Sequence, residues 1–184
     1  MTANTNRRPR RASARGVPRR SLFSRAVRVR RDGSPVHDRL RPLQPGRSEL
    51  REYDLDTYGT FRNRPRDRLQ GHEVLQQMWL RLHRGAQRGR SGISAQNPAL
   101  ALPDAVHRRV TELQRLHGLF SEARVRQMSW IENAAMNLRI LRGAGVPPDV
   151  VATLGREVQR HARTHGLGGA LDLDAVFARP LASR

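Results

Sequence analysis

The chain has no cysteine, no lysine, few aromatic residues and no long apolar run. Without Cys there is no disulfide framework, no iron–sulfur cluster, no thiol nucleophile and no thiolate zinc site. No stretch approaches the ~20 apolar residues that a transmembrane helix needs. Aromatics make up 4% and apolar residues 37% of the 184 residues, so a core has to be assembled mainly from Leu, Val and Ala. With Lys missing, all 35 basic side chains are Arg, set against 16 Asp and Glu for a formal net charge of +19. Guanidinium stays protonated and offers paired donors that match phosphate oxygens, so the composition favours a polyanionic partner. A GC-rich genome would enrich Arg over Lys in the same way, which makes the charge more telling than the residue type.

That charge is unevenly placed. Residues 1–50 carry 14 of the arginines against Asp32, Asp38 and Glu49, together with five prolines and no sustained apolar period. Such a segment buries too little apolar surface to offset its ordering entropy, and it reads as a disordered basic arm that grips phosphates loosely. It has no apolar stretch of the secretory kind, although its Arg- and Ser-rich, acid-poor character resembles an organellar transit peptide. The expected location is the cytoplasm of a producing cell. A length of this order suits one domain plus a tail. The expected folded unit is 51–166, with 167–184 as a loose tail.

The pattern after residue 50 predicts a mainly helical α+β fold. Tyr53 to Phe61 brings the first aromatic cluster, and Arg62 to Arg68 reads as a polar connector. From Gly71, the residues Val74, Leu75, Met78, Trp79 and Leu82 recur at helical spacing up to Gly85. Residues 85–96 read as a loop and Asn97-Pro98 as a turn. Ala99 to Leu102 suits a short strand, so at most one small hairpin is expected. Pro103-Asp104 then opens a helix that carries Val106, Val110, Leu113 and Leu116 to Gly118. Ser129 and Glu132 have capping-box spacing ahead of Ile131, Ala135, Leu138 and Leu141. Pro147-Pro148-Asp149 opens a last helix with Val150, Val151, Leu154, Val158 and Ala162 inward.

The candidates for chemistry are His72, Glu73, Asn97 and His107. Phosphodiester hydrolysis needs a group that takes a proton from water and a cation that offsets charge on the phosphate and the leaving oxygen. Imidazole and carboxylate serve as base or ligand, and an amide oxygen serves as a modest ligand or orients a base. Taken singly, each residue has a plain structural explanation. A His in a first helical turn is commonly a surface or half-buried residue. Asn before Pro forms turns, and Glu early in a helix suits the dipole.

In order, however, Tyr58-Gly59, Leu69-Gln70-Gly71-His72-Glu73-Val74-Leu75-Gln76 and Asn97-Pro98-Ala99-Leu100-Ala101-Leu102-Pro103-Asp104-Ala105-Val106-His107 resemble the HNH/endonuclease VII (His-Me finger) superfamily. Within it the chain is most similar to the GH-E-type nuclease domains of bacterial polymorphic toxins. The resemblance covers about residues 53–120. Two departures stand out: Pro98 replaces a Gly, and one additional residue precedes Leu102. The resemblance implies a ββα-metal, treble-clef-like core with additional C-terminal helices over 121–166. It also implies a metal-dependent endonuclease acting as an antibacterial toxin delivered to a target cell, with an acidic immunity protein as partner.

The implied cofactor is one divalent ion, Mg, Mn or Zn, held by His107, Asn97 and a member of the dyad such as Glu73. Either His72 or Glu73 acts as the base, and the low ordinary pKa of a carboxylate favours His72. Arg84, Arg88, Arg90, Arg108 and Arg109 flank these positions and would seat the nucleic-acid backbone. Scarce aromatics favour duplex DNA over single strands, with RNA the next candidate. The rival reading is a non-catalytic basic nucleic-acid binder. The other histidines, 37, 83, 117, 161 and 165, are expected to lie outside the site.

Overall fold

A computed structural model of the chain describes residues 50–62, 68–90, 92–179 and 181. The expected basic arm, apart from Leu50, and most of the expected connector lie outside the described residues. Three strands form one antiparallel sheet: β1 (Leu55–Thr57), β2 (Leu69–Glu73) and β3 (Pro98–Pro103), in the order β1-β3-β2. The central strand is the apolar run Pro98 to Leu102, buried throughout. A strand covered on both faces has no polar face to show, which explains why it lacks alternation. Asp56 ends β1 by accepting hydrogen bonds from the Thr57 N–H (2.6 Å) and the Thr60 hydroxyl (3.1 Å). The chain passes directly into the short helix α1 (Tyr58–Arg62).

The structure departs from the expected helix over 71–84. Residues 69–73 form β2, and helix α2 runs from Gln77 to Arg84. Pairing explains the change, because His72 faces Leu100 and Glu73 faces Ala99 across the antiparallel ladder. A buried central strand left without a second partner would strand its N–H and C=O groups, and this outweighs helical spacing in the segment's own sequence. Val74 and Leu75, fully buried, belong to the turn between β2 and α2. Gly85 closes α2 in the left-handed conformation, φ 59°. The expected loop 85–96 contains one helical turn, α3 (Gly92–Ala95).

After β3 the chain is helical: α4 (Asp104–Leu116), α5 (Glu122–Gln127), α6 (Trp130–Gly143), α7 (Pro148–Thr164) and α8 (Leu173–Ala178). The capping box at Ser129 and Glu132 is formed, and Pro148 occupies the first turn of α7. Helices α5 and α8 had no sequence forecast. The segment expected as a loose tail buries Leu167, Leu171 and Val176 in the main core. Those leucines and the valine need a hydrophobic wall that α6 and α7 supply only once they are packed together.

Two apolar clusters divide at the sheet. Leu100 and Leu102 face the large cluster shared with α2 and α4–α8, including Leu80, Val110, Leu138, Leu141 and Leu154. Ala99 and Ala101 face a small cluster with Tyr58, Phe61 and Leu69. Gly71 lies beneath α1, where an added Cβ would stand 3.3 Å from the Phe61 Cβ. The glycine of the Gly-His-Glu signature thus lets α1 settle on the strand. The fold is α+β and mostly helical, around a small three-stranded antiparallel sheet.

Candidate functional site

Strand alternation governs the site. Adjacent strand residues project to opposite faces, so His72 and Glu73 diverge. His72 turns toward α4, where the His107 ring meets it edge-on with centroids 5.7 Å apart. Asp104, a turn before His107 on α4, accepts a hydrogen bond from Gln70 Nε2 at 3.3 Å, tying the helix start to the same face of β2. Glu73 turns toward the α1 side. There Asn97 Nδ2 donates to Glu73 Oε1 (3.3 Å) and to the Leu75 carbonyl (2.7 Å). Arg88 Nε stands 3.6 Å from Glu73 Oε2, and the Arg88 guanidinium lies 5.2 Å from the centroid of the Tyr58 ring.

The single cluster expected from positions 72, 97 and 107 is therefore two pairs: His72 with His107, and Glu73 with Asn97. A helical start at Gly71 would have set residues 72 and 73 about 100° apart on one surface. A strand sets them on opposite sides. Among the described residues their shared strand β2 is an outer strand of the sheet, so the two faces meet along its edge.

Burial shapes the electrostatics of each pair. His72 is buried, its Nε2 has no protein partner, and its pKa is pulled down to about 3, first by desolvation and then by His107. His107 is half-buried and shifted downward by burial, with Asp104 opposing. Both imidazoles are neutral at pH 7, the state in which a ring nitrogen ligates metal. Glu73 is raised to about 7 by burial, against the opposing effects of Arg88 and the Asn97 hydrogen bond. A carboxyl group with that value exchanges a proton with water near neutrality. Asn97 is fully buried, and its Oδ1 has no protein partner. Among the described residues no three His, Cys, Asp or Glu side chains gather as a ligand group. On the α4 face the side chains able to offer a metal donor atom are the two rings.

Of the five flanking arginines only Arg88 reaches the site. Arg84 donates to the His165 carbonyl at 3.2 Å, and Arg109 pairs with Glu112 on its own helix at 3.6 Å. Arg90 is exposed, and so is Arg108, which lines an open cleft with Arg51 and Arg68. Among the remaining histidines, His83 stacks on Trp79 at 4.6 Å. His117 is buried at the C-cap of α4.

Two sets of supporting residues escaped the sequence reading. Ser94, fully buried, accepts from the Gly89 N–H (2.8 Å) and donates to Gln77 Oε1 (2.8 Å), while Gln77 Nε2 donates to the Ala86 carbonyl (3.1 Å). Together they hold the loop that carries Arg88. Gln76, three residues beyond Glu73, exchanges hydrogen bonds with Asn133 (3.1 and 3.3 Å), and Gln114 donates to Asn137 Oδ1 at 2.7 Å. Asn137 Nδ2 closes the chain on the Asn133 carbonyl at 2.9 Å. The one available signal was Asn133 and Asn137 spaced four apart within an otherwise apolar stretch of α6. Comparison of the chain with protein families, with curated proteins and with solved structures finds no match.

Proposed function

We propose that this protein is a metal-dependent endonuclease that hydrolyses phosphodiester bonds, with the site divided between the two faces of β2. One observation carries the reading: the His107 ring approaches the His72 ring across the β2–α4 junction, while the next residue of β2, Glu73, presents on the opposite face a carboxyl group poised to titrate near neutrality. Strands β2 and β3 pair antiparallel and α4 follows β3 directly, which is compatible with a ββα-metal core carrying α2 and α3 between its strands.

The donor set fits a borderline divalent ion. His72 Nε2 is a buried acceptor or donor with no protein partner, and a second neutral imidazole stands beside it. Two imidazoles suit zinc better than magnesium or manganese, which prefer carboxylate and water oxygens. His72 and His107 hold the ion, and when bound it offsets charge on the phosphate and the leaving oxygen. Glu73 takes the proton from the attacking water. Asn97 fixes the carboxylate through Nδ2, and Arg88 stands ready to receive a phosphate oxygen. His72, with a value near 3, is a poor base at neutral pH, so the roles favour Glu73 for the proton and His72 for the ion.

The substrate we favour is DNA, contacted through its backbone by a chain of net charge +19. The resemblance extends the proposal to an antibacterial toxin held in check by an acidic immunity protein. Supercoiled plasmid incubated with the protein tests the reading. Nicking that requires a divalent ion, stops with chelator and disappears in His107→Ala supports it. Intact plasmid across all divalent ions, retained on the gel with steep salt dependence, replaces it with the non-catalytic binder.

A further inference from the structure

His161 and His165 stand one turn apart at the end of α7, remote in sequence from the residues above. Their ring centroids are 4.5 Å apart, with the rings tilted by 55°. His161 is only 6% exposed, and its Nε2 is buried with no protein partner. His165 is half-buried, with Nε2 3.1 Å from Gln96 Oε1. The sequence showed the two histidines at an Arg-rich helix end without carboxylates. It did not show that the fold brings a side-chain oxygen to them from the segment leading into β3.

The separation of 3.1 Å has two chemical readings. It is a hydrogen-bond length, and it is also the spacing of two neighbouring ligands on one ion. Donors about 2.0–2.2 Å from zinc at tetrahedral to right angles lie roughly 3–3.5 Å apart. The second reading accounts as well for the buried His161 Nε2, on the adjacent ring and without a hydrogen-bond partner in the protein, as a third ligand. Burial keeps both rings neutral at pH 7, with His161 drawn down to about 3 and His165 shifted in the same direction. Arg84, the nearby cation, donates to the His165 backbone carbonyl.

From this geometry we infer that His161, His165 and Gln96 form a second, structural transition-metal site, with water completing the coordination. Two imidazoles and an amide oxygen select zinc, cobalt, nickel or copper over magnesium and calcium. The bound ion fastens the end of α7 to the residue preceding Asn97. The Arg84 hydrogen bond brings the end of α2 to the same point. The inference is independent of the proposed catalysis, because none of the three ligands belongs to the His72–His107 pair.

Titration of the full chain with zinc alone, and separately with cobalt alone, tests it. The His72→Ala/His107→Ala variant removes the other imidazole pair. It is expected to bind one equivalent of zinc and to gain a few degrees, roughly 2–8 °C, in Tm at saturating metal. Adding His165→Ala or Gln96→Leu is expected to weaken that binding at least about tenfold, because a ligand is lost. Should the double variant fail to fold, the comparison passes to the otherwise unaltered chain, where His165→Ala must lower the number of bound cobalt ions by one. No zinc uptake by the folded double variant overturns the inference. So does uptake unchanged by His165→Ala.

Discussion

The two faces of strand β2 present the same backbone to different surroundings. On one, His72 meets α4 and the large apolar cluster; on the other, Glu73 meets Asn97, Arg88 and Tyr58 beside the small one. Both groups are buried, yet burial moves their pKa values in opposite directions, since it disfavours the imidazolium and the carboxylate alike. His72 becomes a neutral imidazole and Glu73 a titrating acid. A single strand thus gives two consecutive residues different surroundings, as a helix start could not, and in the proposed reaction different roles.

The strongest attack on this comparison is to remove one face at a time. His107→Ala is expected to lower cleavage by about 10²–10³-fold or more, with the loss insensitive to pH, because charge stabilisation has gone. Glu73→Gln keeps the shape and the Asn97 contact but removes the base. It is expected to cost about 10²–10⁴-fold and to flatten the pH profile. Single-turnover cleavage from pH 5.5 to 8.5 reads both. Equal pH profiles for the two variants would erase the proposed division of labour.

The pH profile itself sharpens the contrast. With Glu73 as base, the rate should rise about tenfold per unit up to pH 7 and level above it. Arg88 holds the Glu73 value down, so Arg88→Ala should move the midpoint to higher pH. A midpoint displaced downward would contradict the assignment.

Stability follows the same division. His72 and His161 have folded values near 3, below their unfolded value of 6.5, so each contribution is lost as pH falls below 6.5. Glu73, raised from 4.5 to about 7, acts the other way: its contribution is largest below pH 4.5 and is lost as pH climbs to 7. Glu73→Gln should therefore steepen the loss of Tm between pH 6.5 and 4.5, as read by thermal melts. The smallest effect expected is at Gly71. Gly71→Ala should cost about 1 kcal/mol, because Phe61 has to give by a few tenths of an ångström; a denaturant midpoint measures it.

The long helices were legible from the chain because their apolar residues repeat at helical spacing over many turns. Ser129 with Glu132 and Pro147 with Pro148 marked where α6 and α7 begin. The short elements were not. Residues 69–73 are too few for a period, and Val74 to Leu82 prolong a helical pattern back over them. The site residues 72, 73, 97 and 107 were all named by motif, but their partnership was misjudged along with the strand. Asn97 was expected on the ion; its Nδ2 is engaged with Glu73 and Leu75, and its Oδ1, the atom that would ligate, has no protein partner. Gln96 beside His165 had no sequence signal at all.

What the linear chain determined by itself was the inventory: an arginine-rich polycation without thiols, a Leu–Val–Ala core, the starts of the long helices after β3 and four residues suited to hydrolytic chemistry. Tertiary structure alone decided which of those four meet. Strand β3 is buried on both faces and needs hydrogen-bond partners along both edges, so residues 69–73 extend to satisfy it. That extension, imposed by a strand distant in sequence, turns His72 and Glu73 away from each other.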